Sequence, residues 1–169
     1  MWNDTDIPLG YLITFRCYGT WLHGDERGSV DREHRRYKSP YASANENRHR
    51  HNLGTLKGSA VLLNAAQRAS VEKAIRESCA YRKWHLHACN VRTNHVHSVV
   101  SIGSKKSELA LNAFKANAPR QMREDGCWQL PHSPWVDRGS KRYLWNERSL
   151  SLAIEYVLYG QGDTLPEFD

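Results

Sequence analysis

The chain has 169 residues, 24 Lys plus Arg against 18 Asp plus Glu, and a formal net charge of +6. With 40% apolar and 10% aromatic residues and only 11 Gly and 6 Pro, it excludes the disordered and fibrous classes and suits one globular domain over residues 1–169. No stretch approaches the ~18 consecutive apolar residues of a membrane span, and residues 1–6 lack the basic and apolar regions of a secretory signal, so a soluble cytoplasmic protein is expected.

Residues 11–17 alternate Tyr11, Ile13, Phe15 and Cys17 against Leu12, Thr14 and Arg16, a strand pattern. From about 24 to 60 periodicity gives way to a long basic loop carrying Arg32, Arg35, Arg36 and Lys38, with His34, His49 and His51. Interleaved Tyr37 and Tyr41 make it suited to phosphates and unpaired bases, whereas the plain alternative is a solvated surface loop.

Asn64 and Gln67 have capping-box spacing and predict a helix ending near Lys83, with Val71, Ala74, Ile75 and Cys79 as its apolar stripe. Residues 85–91 and 95–102 read as strands joined by Arg92, Thr93 and Asn94 into an antiparallel hairpin. A second helix is expected from Ser107 to about Glu124, with Leu111, Phe114, Ala118 and Met122 aligned and Pro119 kinking it or ending it early. Residues 135–137 and 141–145 suggest a short hairpin with Arg138 at its basic tip. A last helix runs from about Glu147, capped by Asn146, to Tyr159, with Gly160 as its stop. The class that follows is α+β, a central antiparallel sheet covered by helices. The cysteines Cys17, Cys79, Cys89 and Cys127 form no paired motif and read as free, largely buried thiols.

His95-Val96-His97 lies in a strand, so both imidazoles project from one face and can reach one metal ion. Two histidines leave coordination positions open, as a catalytic site requires; the alternative is two histidines hydrogen-bonded on a sheet face. His85 and His87 share the spacing but directly follow a helix, and a polar sheet edge or a phosphate contact is the reading there. In the last helix Leu150, Ile154, Val157 and Leu158 make a core stripe from which Tyr156 lies about 120° away. Tyr156 is therefore not simply core filling, and Tyr159 points nearly opposite the stripe.

The run from Asn90 to His97, the apolar strand that continues it, and residues 156–161 near the C-terminus resemble the single-tyrosine HUH transposases, in particular the REP-associated tyrosine transposases of bacteria. Residues 18–22 and the order of strands and helices extend the likeness over nearly the whole chain. The resemblance implies a ferredoxin-like or RRM-like HUH nuclease fold with a C-terminal tyrosine helix. It implies a transposase that is a single-strand DNA endonuclease and strand transferase, working on hairpin or palindromic DNA. Tyr156 would attack a phosphodiester, leaving a 5′-phosphotyrosine and a free 3′-hydroxyl, with His95 and His97 holding Mg²⁺ or Mn²⁺. A neutral phenol is a weak nucleophile, and nearby cations favour its phenolate.

Family members carry a polar metal ligand four residues after the tyrosine; here that position is Gly160 and the glutamine stands at five. If Gly160 ends the helix, Gln161 can turn back to the metal, and it is the third ligand expected. Lys105 and Lys106 after the His strand, and Arg138, Lys141 and Arg142 before the tyrosine helix, are expected to bind the DNA flanking the cut. A nucleoid-associated location follows from such a partner. Related proteins occur as monomers and as homodimers that exchange the tyrosine helix. The alternative function is a domesticated hairpin-binding protein that retains the fold without cleaving.

Overall fold

Period-two geometry sends Tyr11, Ile13 and Phe15 of β1 (Gly10–Arg16) to one face and Leu12, Thr14 and Arg16 to the other. The computed structural model, which describes residues 6–19 and 60–169, sets this strand inside a four-stranded sheet. Its neighbours are β2 (His85–Val91), β3 (His95–Ser101) and β4 (Ser140–Leu144), in the spatial order β2-β3-β1-β4 with every pair antiparallel. The helices are α1 (Ala65–Arg82), α2 (Ser107–Glu124) and α3 (Glu147–Tyr159). Helix α1 carries the chain from β1 across β3 to β2, and α2 carries it from β3 across β1 to β4. The fold is α+β. Among the described residues no helix is long and apolar enough to cross a membrane. The basic segment with Arg32, Arg35, Arg36 and Lys38 lies outside the described residues.

Two apolar clusters occupy opposite faces of the sheet. Tyr11, Ile13, Phe15, Val96 and Val100 meet Val71 and Ile75 of α1 and Leu111, Phe114 and Met122 of α2 in the larger one. Leu12, Ala88, Val99 and Leu144 meet Ala153 and Val157 of α3 in the smaller, flanked by Leu150 and Ile154. Each fully buried large side chain contributes about 1.5–3 kcal/mol, so the α1–α2 face dominates stability and α3 is the more lightly held element. Leu158, expected in the α3 stripe, is exposed and Ala153 takes its place. The helix rests on the sheet along the line from Ala153 to Val157, and Leu158, about 100° further round, faces outward.

The capping box of α1 is formed on both sides: Gln67 N donates to Asn64 Oδ1 and Asn64 N to Gln67 Oε1, each at 2.9 Å. Pro119 neither ends nor shortens α2, which runs to Glu124. A proline at 119 deprives the Lys115 carbonyl of its helical donor; the indole Nε1 of Trp135 donates to that oxygen instead, at 3.1 Å. The helix therefore continues through the proline without an orphaned buried acceptor.

Residues 135–145 do not form the expected hairpin. Trp135 bridges to Cys17 and Val136 N donates to the Arg16 carbonyl, while β4 pairs with Gly10–Thr14 further along β1. Both segments complete the same open edge of β1, where long-range ladder bonds replace the local ones. Arg138 takes a left-handed φ of 69° in the excursion between them, and a Cβ on Gly139 would come within 2.7 Å of the Thr14 carbonyl. All four cysteines are free, with Cys17, Cys79 and Cys89 buried and Cys127 half-buried. Burial pushes the Cys17 and Cys89 thiols up to about 12, which keeps them protonated and unreactive.

Candidate metal and tyrosine site

The tight connection after β2, closed by Arg92 N donating to the His95 carbonyl at 2.8 Å, starts β3 so that His95 and His97 face α3. Their rings lie 4.8 Å apart between centroids. Across the ladder, Arg16 stands opposite His95 and Thr14 opposite His97, while Asn90 of β2 flanks His97 from the other side. Thr14 Oγ1 is 2.8 Å from His97 Nδ1, and Asn94 Oδ1 is 2.6 Å from His95 Nδ1. With each Nδ1 engaged in this way, Nε2 is the nitrogen left on each ring to serve as a ligand.

His97 is 7% exposed, and its pKa is pushed down to about 3. Burial is the main cause, followed by the charges of His95 and Arg16; hydrogen bonding to Gln161 acts weakly in the opposite direction. At neutral pH this imidazole is neutral, the state a metal ligand requires.

The end of α3 brings the third group in. Gly160 N donates to the Tyr156 carbonyl at 2.9 Å, and a Cβ at residue 160 would stand 2.8 Å from that carbonyl oxygen and 3.0 Å from Cδ2 of the Tyr156 ring. Gln161 Nε2 donates to the same carbonyl at 3.1 Å, which fixes the orientation of its amide because a carbonyl can only accept. Oε1 of Gln161 then lies 3.3 Å from His95 Nε2. The neighbouring Val157 carbonyl, in the last turn of the helix, accepts from Asn90 Nδ2 at 2.9 Å. Gln161 and Asn90 of β2 thus engage two carbonyls of the last turn of α3 and hold it against the part of the sheet that carries the histidines.

Tyr156 meets His97 edge-on, with ring centroids 5.4 Å apart, and is 45% exposed. Tyr159 is 79% exposed and directed away, as the helical wheel requires. The donor set fits a divalent cation. With the Nδ1 proton of His95 donated to Asn94 Oδ1, Nε2 and the Gln161 oxygen, 3.3 Å apart, are both groups that can coordinate one cation. Two imidazole nitrogens and one amide oxygen carry no charge, so a bound cation would keep its full charge for a phosphate.

The structure separates the other expected residues. Arg138 lies at the His97 end of the β4 edge, its carbonyl accepting from Lys115 Nζ at 2.7 Å. Lys141 pairs with Glu108 at 3.3 Å, and Arg142 stands opposite Leu12. Lys105 and Lys106 sit beyond the far end of β3, away from His95. His85 and His87 pack against each other near Ser101, whose Oγ is 2.7 Å from His87 Nε2, at the end of the sheet remote from His95. Arg16, Thr14, Asn90 and Asn94 escaped the sequence reading as site residues. Alternation placed Thr14 and Arg16 on the face away from the main core, but only strand pairing brings them to the histidines. No protein-family model and no curated protein matches this chain.

Proposed function

We propose that this protein is a metal-dependent single-strand DNA endonuclease and strand transferase that uses Tyr156 as its nucleophile, with the ferredoxin-like architecture of the HUH enzymes. The observation that carries the reading is the meeting of four groups from two distant parts of the chain: His95 and His97 from β3, Tyr156 and Gln161 from the end of α3. The β1-α1-β2-β3-α2-β4 order with its two crossovers is the arrangement that the ferredoxin-like reading calls for.

His95, His97 and Gln161 would hold the cation, and imidazole nitrogens suit Mn²⁺ better than Mg²⁺. When bound, it supplies Lewis-acid polarisation of a non-bridging phosphate oxygen. Tyr156, open to solvent on one side and against His97 on the other, lies where a strand can reach it. Its Oη forms the new bond to phosphorus as the bond to the 3′ oxygen breaks; the phenolic proton passes to solvent and the departing 3′ oxygen takes a proton from solvent to leave as a hydroxyl. The 5′-phosphotyrosine retains the bond energy for joining to another 3′-hydroxyl. Arg16, beside His95, adds positive charge where the phosphate must sit.

Incubation of labelled single-stranded hairpins with the protein and Mn²⁺, followed by denaturing electrophoresis, tests this. The wild type is expected to form a covalent adduct, and Tyr156→Phe to bind the hairpin without forming one. An adduct of normal yield in Tyr156→Phe would move the nucleophile, most simply to Tyr159. Hairpin binding by the wild type with no adduct would favour a non-cleaving binding protein.

A further inference from the structure

At the end of the sheet remote from His95, residues 6–8, β1, β4, the start of α2 and the connection between β3 and α2 line an open cavity of about 410 Å³. Three aromatic rings form its wall. Tyr11 is almost fully buried at its base; Tyr143 stands edge-on to it with centroids 5.0 Å apart, and Trp145 lies 5.7 Å beyond Tyr143 at 49°. Tyr143 is 48% exposed and Trp145 half-buried, so both present ring surface that the core does not use. Lys105 and Lys106, both exposed, line the same cavity. The carboxylates there are Asp6 and Glu108, and the pKa of the Glu108 carboxyl is lowered by its own backbone amide and by Lys141.

Open aromatic faces beside lysines are the chemistry of an unpaired base and its phosphate: rings stack on the base whatever its identity, and ammonium groups hold the backbone. The volume falls within the ~300–1,000 Å³ of small-ligand sites, while the charged lining disfavours an aliphatic or lipid occupant. Position adds a second argument. Ser140 is level with Thr14, beside His97, and Leu144 is level with Gly10. The four steps of edge strand β4 between them cover ~13 Å; because Tyr11 and Tyr143 face the α1–α2 side of the sheet and His97 the α3 side, a strand cut at Tyr156 reaches the cavity by passing round this edge over several nucleotides. Arg138 and Arg142 lie along that edge.

We propose that this cavity captures one unpaired nucleobase of the DNA strand, stacked on Tyr143 and Trp145 with its phosphate on Lys105 and Lys106, and so sets the distance between a recognised nucleotide and the cut. The proposal rests on the DNA reading above and adds a second contact point to it.

The test uses the full chain and a hairpin oligonucleotide with a single-stranded flank, carrying 5-iododeoxyuridine at one flank position at a time. Irradiation and mass spectrometry are expected to find crosslinks to the peptide containing Tyr143 and Trp145 from one position a few nucleotides from the hairpin. An abasic site there should weaken binding roughly 10-fold, as should Tyr143→Ala, and the two changes together should weaken it no further. Because Tyr143 is exposed, Tyr143→Leu serves as a second variant that keeps the strand apolar, with the same expected loss. Crosslinks confined to other peptides, with a flat abasic profile while the wild type still binds, overturn the cavity proposal alone. A wild type that binds no strand overturns the DNA reading and this proposal with it.

Discussion

Thr14 Oγ1 and His97 Nδ1 stand 2.8 Å apart across the β1–β3 ladder, on the face of the sheet that α3 covers. The contact orients the imidazole so that Nε2 is the nitrogen available to a ligand. Thr14→Val keeps the shape of the side chain and removes the partner; Mn²⁺ affinity, read by titration calorimetry, is expected to fall roughly 10- to 100-fold. Thr14→Ser, which retains the hydroxyl, should restore most of it. Equal affinity in Thr14→Val and wild type would deny Thr14 a positioning role.

Acid should destabilise the metal-free protein through His97. Its pKa is about 3 in the fold against an ordinary value of 6.5, so between those values the unfolded chain binds a proton that the native state does not. Stability from this group is complete above about pH 6.5 and is lost as the pH falls towards 3, with a slope of up to about 1.4 kcal/mol per pH unit. Urea unfolding across this range should show a shallower acid dependence for His97→Gln than for wild type. Parallel profiles would remove His97 from the acid response.

Gly160→Ala places a Cβ 2.8 Å from the Tyr156 carbonyl and 3.0 Å from its ring. Relief requires the end of α3 to shift, and Tyr156 and Gln161 shift with it. The expected outcome is a covalent adduct formed up to roughly 10²-fold more slowly, together with weakened Mn²⁺ binding. Far-ultraviolet circular dichroism should remain that of the wild type, since the change touches only the last turn of the helix.

Trp135 and Pro119 are coupled through one acceptor. Trp135→Phe leaves the Lys115 carbonyl without its indole donor and should destabilise the fold by about 1–3 kcal/mol beyond the loss of ring area. Adding Pro119→Ala supplies a backbone N–H to the same oxygen, so the double variant should recover part of the loss. Strict additivity in urea unfolding would show that the helix does not depend on this donor.

Much of this architecture is local information and could be read along the chain. Alternation in β1 and β3 put His95 and His97 on one side; the Asn64–Gln67 capping box and the Asn146 cap set the starts of α1 and α3. Helical geometry alone moved Tyr156 off the core stripe. Such features depend on spacings of two, three and four residues, which the backbone imposes wherever the segment folds.

What depended on the tertiary structure was every choice between competing partners far apart in sequence. Lys141 to Leu144 could have paired with residues just before them, but the open edge of β1 offered the longer ladder. Pro119 would stop an isolated helix; Trp135 supplies what the proline removes. Counting by a regular wheel turns Gln161 away from Tyr156, and only the break at Gly160 brings its amide back to the Tyr156 carbonyl and His95. Composition and periodicity determined a basic α+β domain with two histidines and a tyrosine available for chemistry. Packing decided that they meet, because the small cluster of Leu12, Val99, Ala153 and Val157 seats α3 on the one face where the histidines stand.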